Sequence, residues 1–221
     1  MKSKQIETYY DSGAVKEKKI YVNGKMEGEY VSFFENGAPM VRVNYVNGMK
    51  EGEAFSYYRS GKVREHAFFT KDKLNGEYQS FYDNGQLKEE EFYKDGKLHG
   101  KYTLYLKNGQ VKEEENFSEG KFHGDYTSYF KTGEVREKGT FVNDRREGDF
   151  VLFYKTGTVR ARCSYTVGKL EGEYVCYDRQ GRKIKVDADA DVLEEEAGDD
   201  NVYDDLLSKF SVKEEKRPED D

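Results

Sequence analysis

Short blocks of alternating apolar and polar residues run through most of the chain and return with a period of about 24 residues, which lies in the range of structural repeats. One block, at 29–34, is rich in aromatic and β-branched residues, which predicts a β-strand. A bend with glycine follows, and then a longer strand such as 110–117. A fixed period of roughly 20–50 residues predicts stacked repeats that bury their apolar side chains against their neighbours.

Glycines mark the bends and keep the same period. One series is Gly13, Gly37, Gly61, Gly85, Gly109, Gly133, Gly157 and Gly181. Another is Gly24, Gly48, Gly96, Gly120 and Gly168, with Asp72 and Asp144 in its two gaps. Pairs such as Asn36-Gly37 predict a two-residue type I′ hairpin turn, with positive φ at both residues. Such a turn pairs position 32 with 41, 33 with 40, and 34 with 39. The fold class predicted is all-β: an elongated single-layer antiparallel meander of β-hairpin repeats.

This pairing assigns side chains to the two faces of the sheet. One face carries Tyr30, Ser32, Phe34, Pro39, Tyr45 and their repeat equivalents, and is the predicted core stripe. The opposite face carries an aromatic ladder: Phe33, Tyr57, Phe81, Tyr105, Tyr129, Phe153 and Tyr177. A basic ladder is predicted opposite these rings: Arg64, Lys88, Lys112, Arg136 and Arg160. The neighbouring acidic ladder points to the core face: Glu17, Glu65, Glu89, Glu113 and Glu137.

The two ladders have two interpretations. They form a groove for an extended anionic partner, since rings and cations both bind such chains, or they stabilise a thin sheet through cross-strand pairs worth roughly 0.2–1 kcal/mol each. Both interpretations can hold together.

Charge divides the chain into a mildly basic array and an acidic tail. Residues 1–186 hold 33 basic and 29 acidic side chains, whereas residues 187–221 hold 4 basic and 15 acidic ones. The predicted segments are a lead-in at 1–8, the repeat array at 9–186, an acidic disordered linker at 187–200, a short amphipathic helix at 201–212 and a charged disordered tail at 213–221. The tail is interpreted as a cap for the array, an inhibitory segment over the basic ladder, or a solubilising extension.

No constellation of residues in the sequence predicts an enzyme, a cofactor or a metal site. The histidines His99 and His123 share one repeat position, so they are expected about 10 Å apart in exposed loops. The glutamate runs at 89–91 and 113–115 are predicted to be solvated. Only two cysteines occur, Cys163 and Cys176, and no apolar leader or membrane-length segment is seen. We therefore expect a cytoplasmic protein with reduced thiols.

The residues at 82–90 and 93–100 resemble the variant MORN repeat of bacterial proteins, in particular the YwqK-type antitoxins. The resemblance extends over about residues 9–184. It implies a single-layer sheet of β-hairpins with a binding role, as an antitoxin or immunity protein, or as a scaffold or membrane-associated protein.

These observations predict a non-catalytic scaffold that binds a protein partner, which in the family's terms is a toxin. A peripheral membrane protein that binds anionic lipid is the alternative. Nucleic acid is disfavoured, because the basic residues are interleaved with carboxylates. The exposed sheet edges would allow a homodimer.

Overall fold

The computed structural model describes residues 2–184, which form one open antiparallel sheet of 19 strands with no helix among them. The predicted fold class is confirmed. The linker, helix and tail predicted beyond residue 186 lie outside the described residues. The strands are β1 Ser3–Tyr9, β2 Val15–Val22, β3 Lys25–Met26, β4 Gly28–Phe33, β5 Pro39–Val46, β6 Met49–Tyr57, β7 Val63–Thr70, β8 Lys73–Phe81, β9 Leu87–Lys94, β10 Lys97–Leu98, β11 Gly100–Tyr105, β12 Val111–Ser118, β13 Lys121–Phe122, β14 Gly124–Tyr129, β15 Val135–Val142, β16 Arg145–Phe153, β17 Val159–Thr166, β18 Lys169–Tyr177 and β19 Lys183–Ile184.

Each strand pairs with its neighbour in sequence, so the sheet is a meander. The short strands β3, β10 and β13 directly precede β4, β11 and β14. A single residue interrupts the strand in each case. The amide of one such residue, His123, donates to the Asn116 carbonyl at 2.8 Å. Strand β1 pairs with β2 along its whole length, with a register shift between Thr8 and Tyr9, so the sheet already includes most of the predicted lead-in.

The type I′ turns lie at the other bend of the repeat, between the two-strand units. There, two successive residues both have positive φ: Asn23-Gly24, Asn47-Gly48, Lys71-Asp72, Asp95-Gly96, Glu119-Gly120, Asn143-Asp144 and Val167-Gly168. This tight turn lets successive strands pair immediately on either side of it. Its location at Asn36-Gly37 and equivalent pairs was therefore predicted wrongly.

At Asn36-Gly37 only the glycine has positive φ, and the loop is longer than two residues. The Phe34 amide donates to the Ala38 carbonyl at 2.8 Å, and the Gly37 amide donates to the Phe34 carbonyl at 2.9 Å. Ser32 pairs with Val41 as predicted, but Phe33 pairs with Pro39 rather than residue 40. The residue between Pro39 and Val41 forms a β-bulge, which recurs in later repeats.

Hydrogen bonds from each type I′ turn tie one repeat to the preceding one. The Gly48 amide donates to the Met26 carbonyl at 2.8 Å. The Glu27 carboxylate accepts from the Asn47 amide at 2.7 Å, and Glu147 does the same for Val167 at 2.8 Å. Side chains of one repeat thus satisfy backbone groups of the next, which holds the repeats at a fixed spacing.

The buried side chains lie almost entirely on one face of the sheet, which we call the core face. It includes the predicted Tyr30, Ser32 and Tyr45, whereas Pro39 pairs instead with a residue of the aromatic ladder. Rings meet edge to face along this surface, and Phe141 lies 5.5 Å from Phe150, centroid to centroid. Phe150 is fully buried, and its ring occupies the space above Gly139. The ring therefore depends on the absence of a side chain at position 139.

Val167 has φ of 52°, a strained conformation for a β-branched residue. Three other repeats place Asn there, and the Val167 side chain is 53% exposed, so it contributes little packing. We expect Val167→Asn to raise the unfolding free energy by about 1 kcal/mol and the Tm by about 2–4 °C in thermal denaturation. Val142→Asn, an exposed valine within β15, is the control and should not stabilise. A Tm equal to or below that of the parent would contradict the strain at Val167.

A Cβ atom added at Gly139 would lie 2.3 Å from Phe150 Cε1. We expect Gly139→Ala to lower the unfolding free energy by about 1–3 kcal/mol, because the Phe150 ring must move. A double-mutant cycle with Phe150→Leu should show a smaller loss from Gly139→Ala in the Leu background. Equal losses in the two backgrounds would show that the ring is not the cause.

Candidate functional site

The aromatic ladder occupies one face of the continuous sheet, as the sequence predicted. All seven rings are half-buried, with part of each ring open to solvent. Opposite six of them lies an apolar residue of the partner strand: Pro39, Val63, Leu87, Val111, Val135 and Val159. Successive rings are two strands apart, about 10 Å. We call this row of rings and apolar partners the ladder face.

The basic ladder does not stand opposite the rings, which corrects the predicted arrangement. Its residues occupy the β-bulges, which carry them beside the core face. Arg64 Nε lies 3.3 Å from Ser56 Oγ, and Lys88 Nζ lies 3.3 Å from Glu89 Oε1. Lys112, Arg136 and Arg160 occupy the equivalent bulges. A single extra residue in the hairpin thus separates the predicted groove into two surfaces.

Tyrosines at repeat equivalents of Phe34, which the sequence assigned to the core stripe, donate hydrogen bonds to the backbone of the aromatic ladder. The hydroxyls of Tyr10, Tyr58, Tyr82 and Tyr154 donate at 2.7–2.8 Å to the carbonyls of Phe33, Phe81, Tyr105 and Tyr177. Each donor comes from the repeat before its acceptor. The signal was present, since an aromatic residue directly before the hairpin loop recurs in most repeats. These bonds hold ladder residues of adjacent repeats at a constant distance.

One carboxylate on the ladder side of the sheet, Glu114, is held by two partners. Glu114 accepts from the Tyr129 hydroxyl at 2.7 Å and forms an ion pair with Lys101. The Lys101 ammonium and the Tyr129 hydroxyl lower the pKa of Glu114. Burial and the hydrogen bond to Glu114 raise the pKa of Tyr129 to about 12. A tyrosine with the ordinary pKa of 10 is already neutral at physiological pH, so the shift does not change the charge of this ring there.

Two glutamates predicted to be solvated are buried in the core face. Glu113 and Glu115 are 3% and 2% exposed, among rings such as Tyr102 on the neighbouring strand. Burial is the main cause that raises the pKa of Glu115 to about 8, and the negative charge of Glu113 is the second cause. Burial likewise raises the pKa of Glu137, although Arg146 opposes this at 3.5 Å. The prediction was wrong because alternate residues of these runs face inward.

Residues 2–184 contain no group of three or more His, Cys, Asp or Glu side chains placed to hold a metal ion. His123 is exposed, whereas His99 is half-buried. Cys163 and Cys176 are both free and buried, and Cys176 pairs with Ala161 rather than with the other cysteine. Within the same range, no helix has the length and apolarity needed to cross a membrane.

The buried carboxyl of Glu115 makes stability depend on pH. Its native pKa of about 8 exceeds the ordinary value of 4.5, so the native state holds the proton more tightly. Its contribution to the unfolding free energy is full below pH 4.5 and is lost as pH rises through 8; the total is at most about 5 kcal/mol. We expect Glu115→Gln, which cannot ionise, to raise the Tm at pH 8 and flatten its decline between these values. Thermal denaturation at several pH values measures this.

Glu114→Gln is the matched control, because Glu114 lies next in the chain and its pKa is lowered. This carboxylate contributes stability above its ordinary pKa and loses it on acidification. Glu114→Gln should therefore lower the Tm at pH 8. Equal shifts in the two variants would contradict the assigned burial.

A family model for the MORN repeat variant matches residues 26–47, 50–71, 74–95, 98–119 and 122–143. No curated protein matches the chain. A crystal structure of the GtfA/B complex bound to UDP and GlcNAc is 16% identical over 52% of this chain and 22% of that one, with a TM-score of 0.23. A structure of TcdB2-TccC3-Cdc42 is 9% identical over 79% and 13%, with a TM-score of 0.20. This chain thus spans less than a quarter of either protein's length.

The five matched segments follow one another at the interval of one structural repeat. Each begins at or next to the strand that follows a type I′ turn and ends within or beside the next such turn. The match therefore describes the unit that the structure repeats, and over residues 26–143 this chain is a MORN-repeat protein.

Proposed function

We propose that this protein is a non-catalytic scaffold that binds a protein partner through the ladder face. The observation that carries the proposal is the row of seven half-buried rings, each two strands from the next, on one continuous sheet. Half-buried rings next to apolar residues offer contact area at little conformational cost, because their positions are already fixed.

The regular spacing favours an extended or repetitive partner surface over a small ligand. A cleft against Lys4, Lys19 and Tyr21, at the end formed by β1 and β2, is open and lies away from most of the ladder. Small-molecule sites are usually concave and enclose most of their ligand. A ladder of rings on an open sheet is better suited to protein contact.

More specifically, we propose that the partner is a toxin and that this chain is its antitoxin or immunity protein. The resemblance to YwqK-type antitoxins motivates this role. Binding to anionic lipid through the basic ladder is less favoured, because Arg64 and Lys88 contact the carboxylates of Glu65 and Glu89 beside the core face.

Photo-crosslinking from the ladder tests the proposal with little change to the sheet. We would place p-benzoylphenylalanine at Phe81 or Tyr129 in the full chain, expressed in its native host. Tyr174, an aromatic residue of the core face that is 37% exposed, is the matched control. We expect one protein to be crosslinked from both ladder positions and not from Tyr174, identified by mass spectrometry. Crosslinks from Tyr174 alone, or none from either ladder position, would contradict the proposed surface.

The identity of the crosslinked partner then tests the antitoxin role. If it arrests growth when expressed alone, and co-expression of this chain restores growth, the antitoxin role holds. A partner without such an effect leaves the scaffold and excludes the antitoxin. Flotation with phosphatidylserine vesicles tests the lipid alternative, which predicts binding that Lys88→Glu, Lys112→Glu and Arg136→Glu together abolish.

A further inference from the structure

Positive charge is concentrated on one edge of the sheet, at the hairpin loops of its C-terminal half. Four loops form this basic edge: 106–112, 130–136, 154–160 and 178–184. Together they hold nine Lys or Arg residues and two acidic ones. The corresponding loops of the N-terminal half, 10–16, 34–40, 58–64 and 82–88, hold five basic and three acidic residues. The edge is therefore polarised along the array.

The excess on the basic edge is larger than the net charge of the whole array. Residues 1–186 carry a net charge of +4, and the four loops alone carry +7, so the remainder of that stretch is net −3. Carboxylates outside the four loops offset part of this charge: Asp83 lies 3.5 Å from Lys107, and Glu173 lies 3.2 Å from Lys183. Both pairs are solvent-accessible and contribute little energy. A surplus of cations remains at this edge.

The loop tips present their cations in a regular row. Lys107, Lys131, Lys155 and Arg179 recur once per repeat, and all four are exposed. Lys107 lies over the Tyr82 ring at 5.6 Å and Lys155 over the Phe130 ring at 5.7 Å, each ring belonging to the preceding repeat. Such contacts restrain the charged ends of the side chains before any partner arrives. Since consecutive loops are two strands apart, the cations stand about 10 Å from one another.

This spacing fits an extended polypeptide. A polyproline II segment rises about 3.1 Å per residue with three residues per turn, so side chains three residues apart share one side and meet successive cations. A membrane surface fits less well, because the loop tips are Lys-Asn-Gly-Gln, Lys-Thr-Gly-Glu and Lys-Thr-Gly-Thr, without an apolar side chain to insert. A single-stranded nucleic acid fits less well too, because its bases need open rings for stacking, and cations cover the rings here.

We propose that the basic edge binds an extended acidic segment of a partner protein. The proposal deepens the scaffold function, on which it rests, by naming the chemistry of the segment and a second surface distinct from the ladder face. Partner rings and apolar groups would meet the ladder face, and a run of carboxylates would meet the loops. Charge of this kind speeds association and selects among partners.

Fluorescence anisotropy with a labelled poly-L-glutamate peptide tests this in the full chain at low salt. The loop-edge variant is Lys107→Glu with Lys131→Glu and Lys155→Glu. The matched control is Lys25→Glu with Lys73→Glu and Lys121→Glu, which makes the same change in net charge at exposed positions beside the type I′ turns. We expect the loop-edge variant to lose at least about tenfold in affinity and the control to change by less than about threefold.

Equal losses in the two variants would overturn the proposal, since the peptide would then sense only net charge. Absence of peptide binding by the parent protein would also overturn it, as would binding of phosphatidylserine vesicles or single-stranded DNA in preference to the peptide. The test is separate from that of the ladder face: loss of the ladder crosslinks with retained peptide binding would reject the ladder surface alone.

Discussion

The fold depends on the hydrogen bonds that each repeat makes to the turn of the next one. The type I′ turns place two positive-φ residues between units, and the backbone amides of these turns bond to carbonyls and carboxylates of the preceding repeat. A single sheet has no second layer to position its strands, so these local bonds set both spacing and register. At the opposite bend, tyrosine hydroxyls donate to backbone carbonyls of the aromatic ladder in the next repeat. These hydrogen bonds also join neighbouring repeats.

The two faces of the sheet then serve different purposes. The core face buries rings together with carboxyl groups, and Glu115 retains its proton there to a pH of about 8. The ladder face keeps its rings partly exposed, and Glu114 on this face is paired with Lys101 and Tyr129. The core face thus makes stability depend on pH, while the ladder face presents rings to solvent.

The position of the cations is what makes the binding hypothesis specific. One extra residue in each hairpin moves the basic ladder from the rings to the margin of the core face. The hairpin loops of the C-terminal half, which include Lys112, Arg136 and Arg160 of that ladder, hold a surplus of positive charge, and their tips add one cation per repeat. A partner that uses both surfaces would need an apolar part for the ladder and an acidic part for the edge, which restricts the class of protein that fits.

The repeat period by itself determined the fold class, the repeat boundaries and the aromatic ladder, because alternation and glycine spacing are properties of the local chain. The tertiary structure decided which bend has the two-residue turn, where the bulge lies and which glutamates are buried. Asn36-Gly37 and Asn47-Gly48 are the same dipeptide, yet only the second has positive φ at both residues. Strand pairing beyond the loop selects between these conformations, and it is the rings of neighbouring strands that bury Glu113 and Glu115. Those contacts join residues of different strands and repeats, so no single stretch of sequence specifies them.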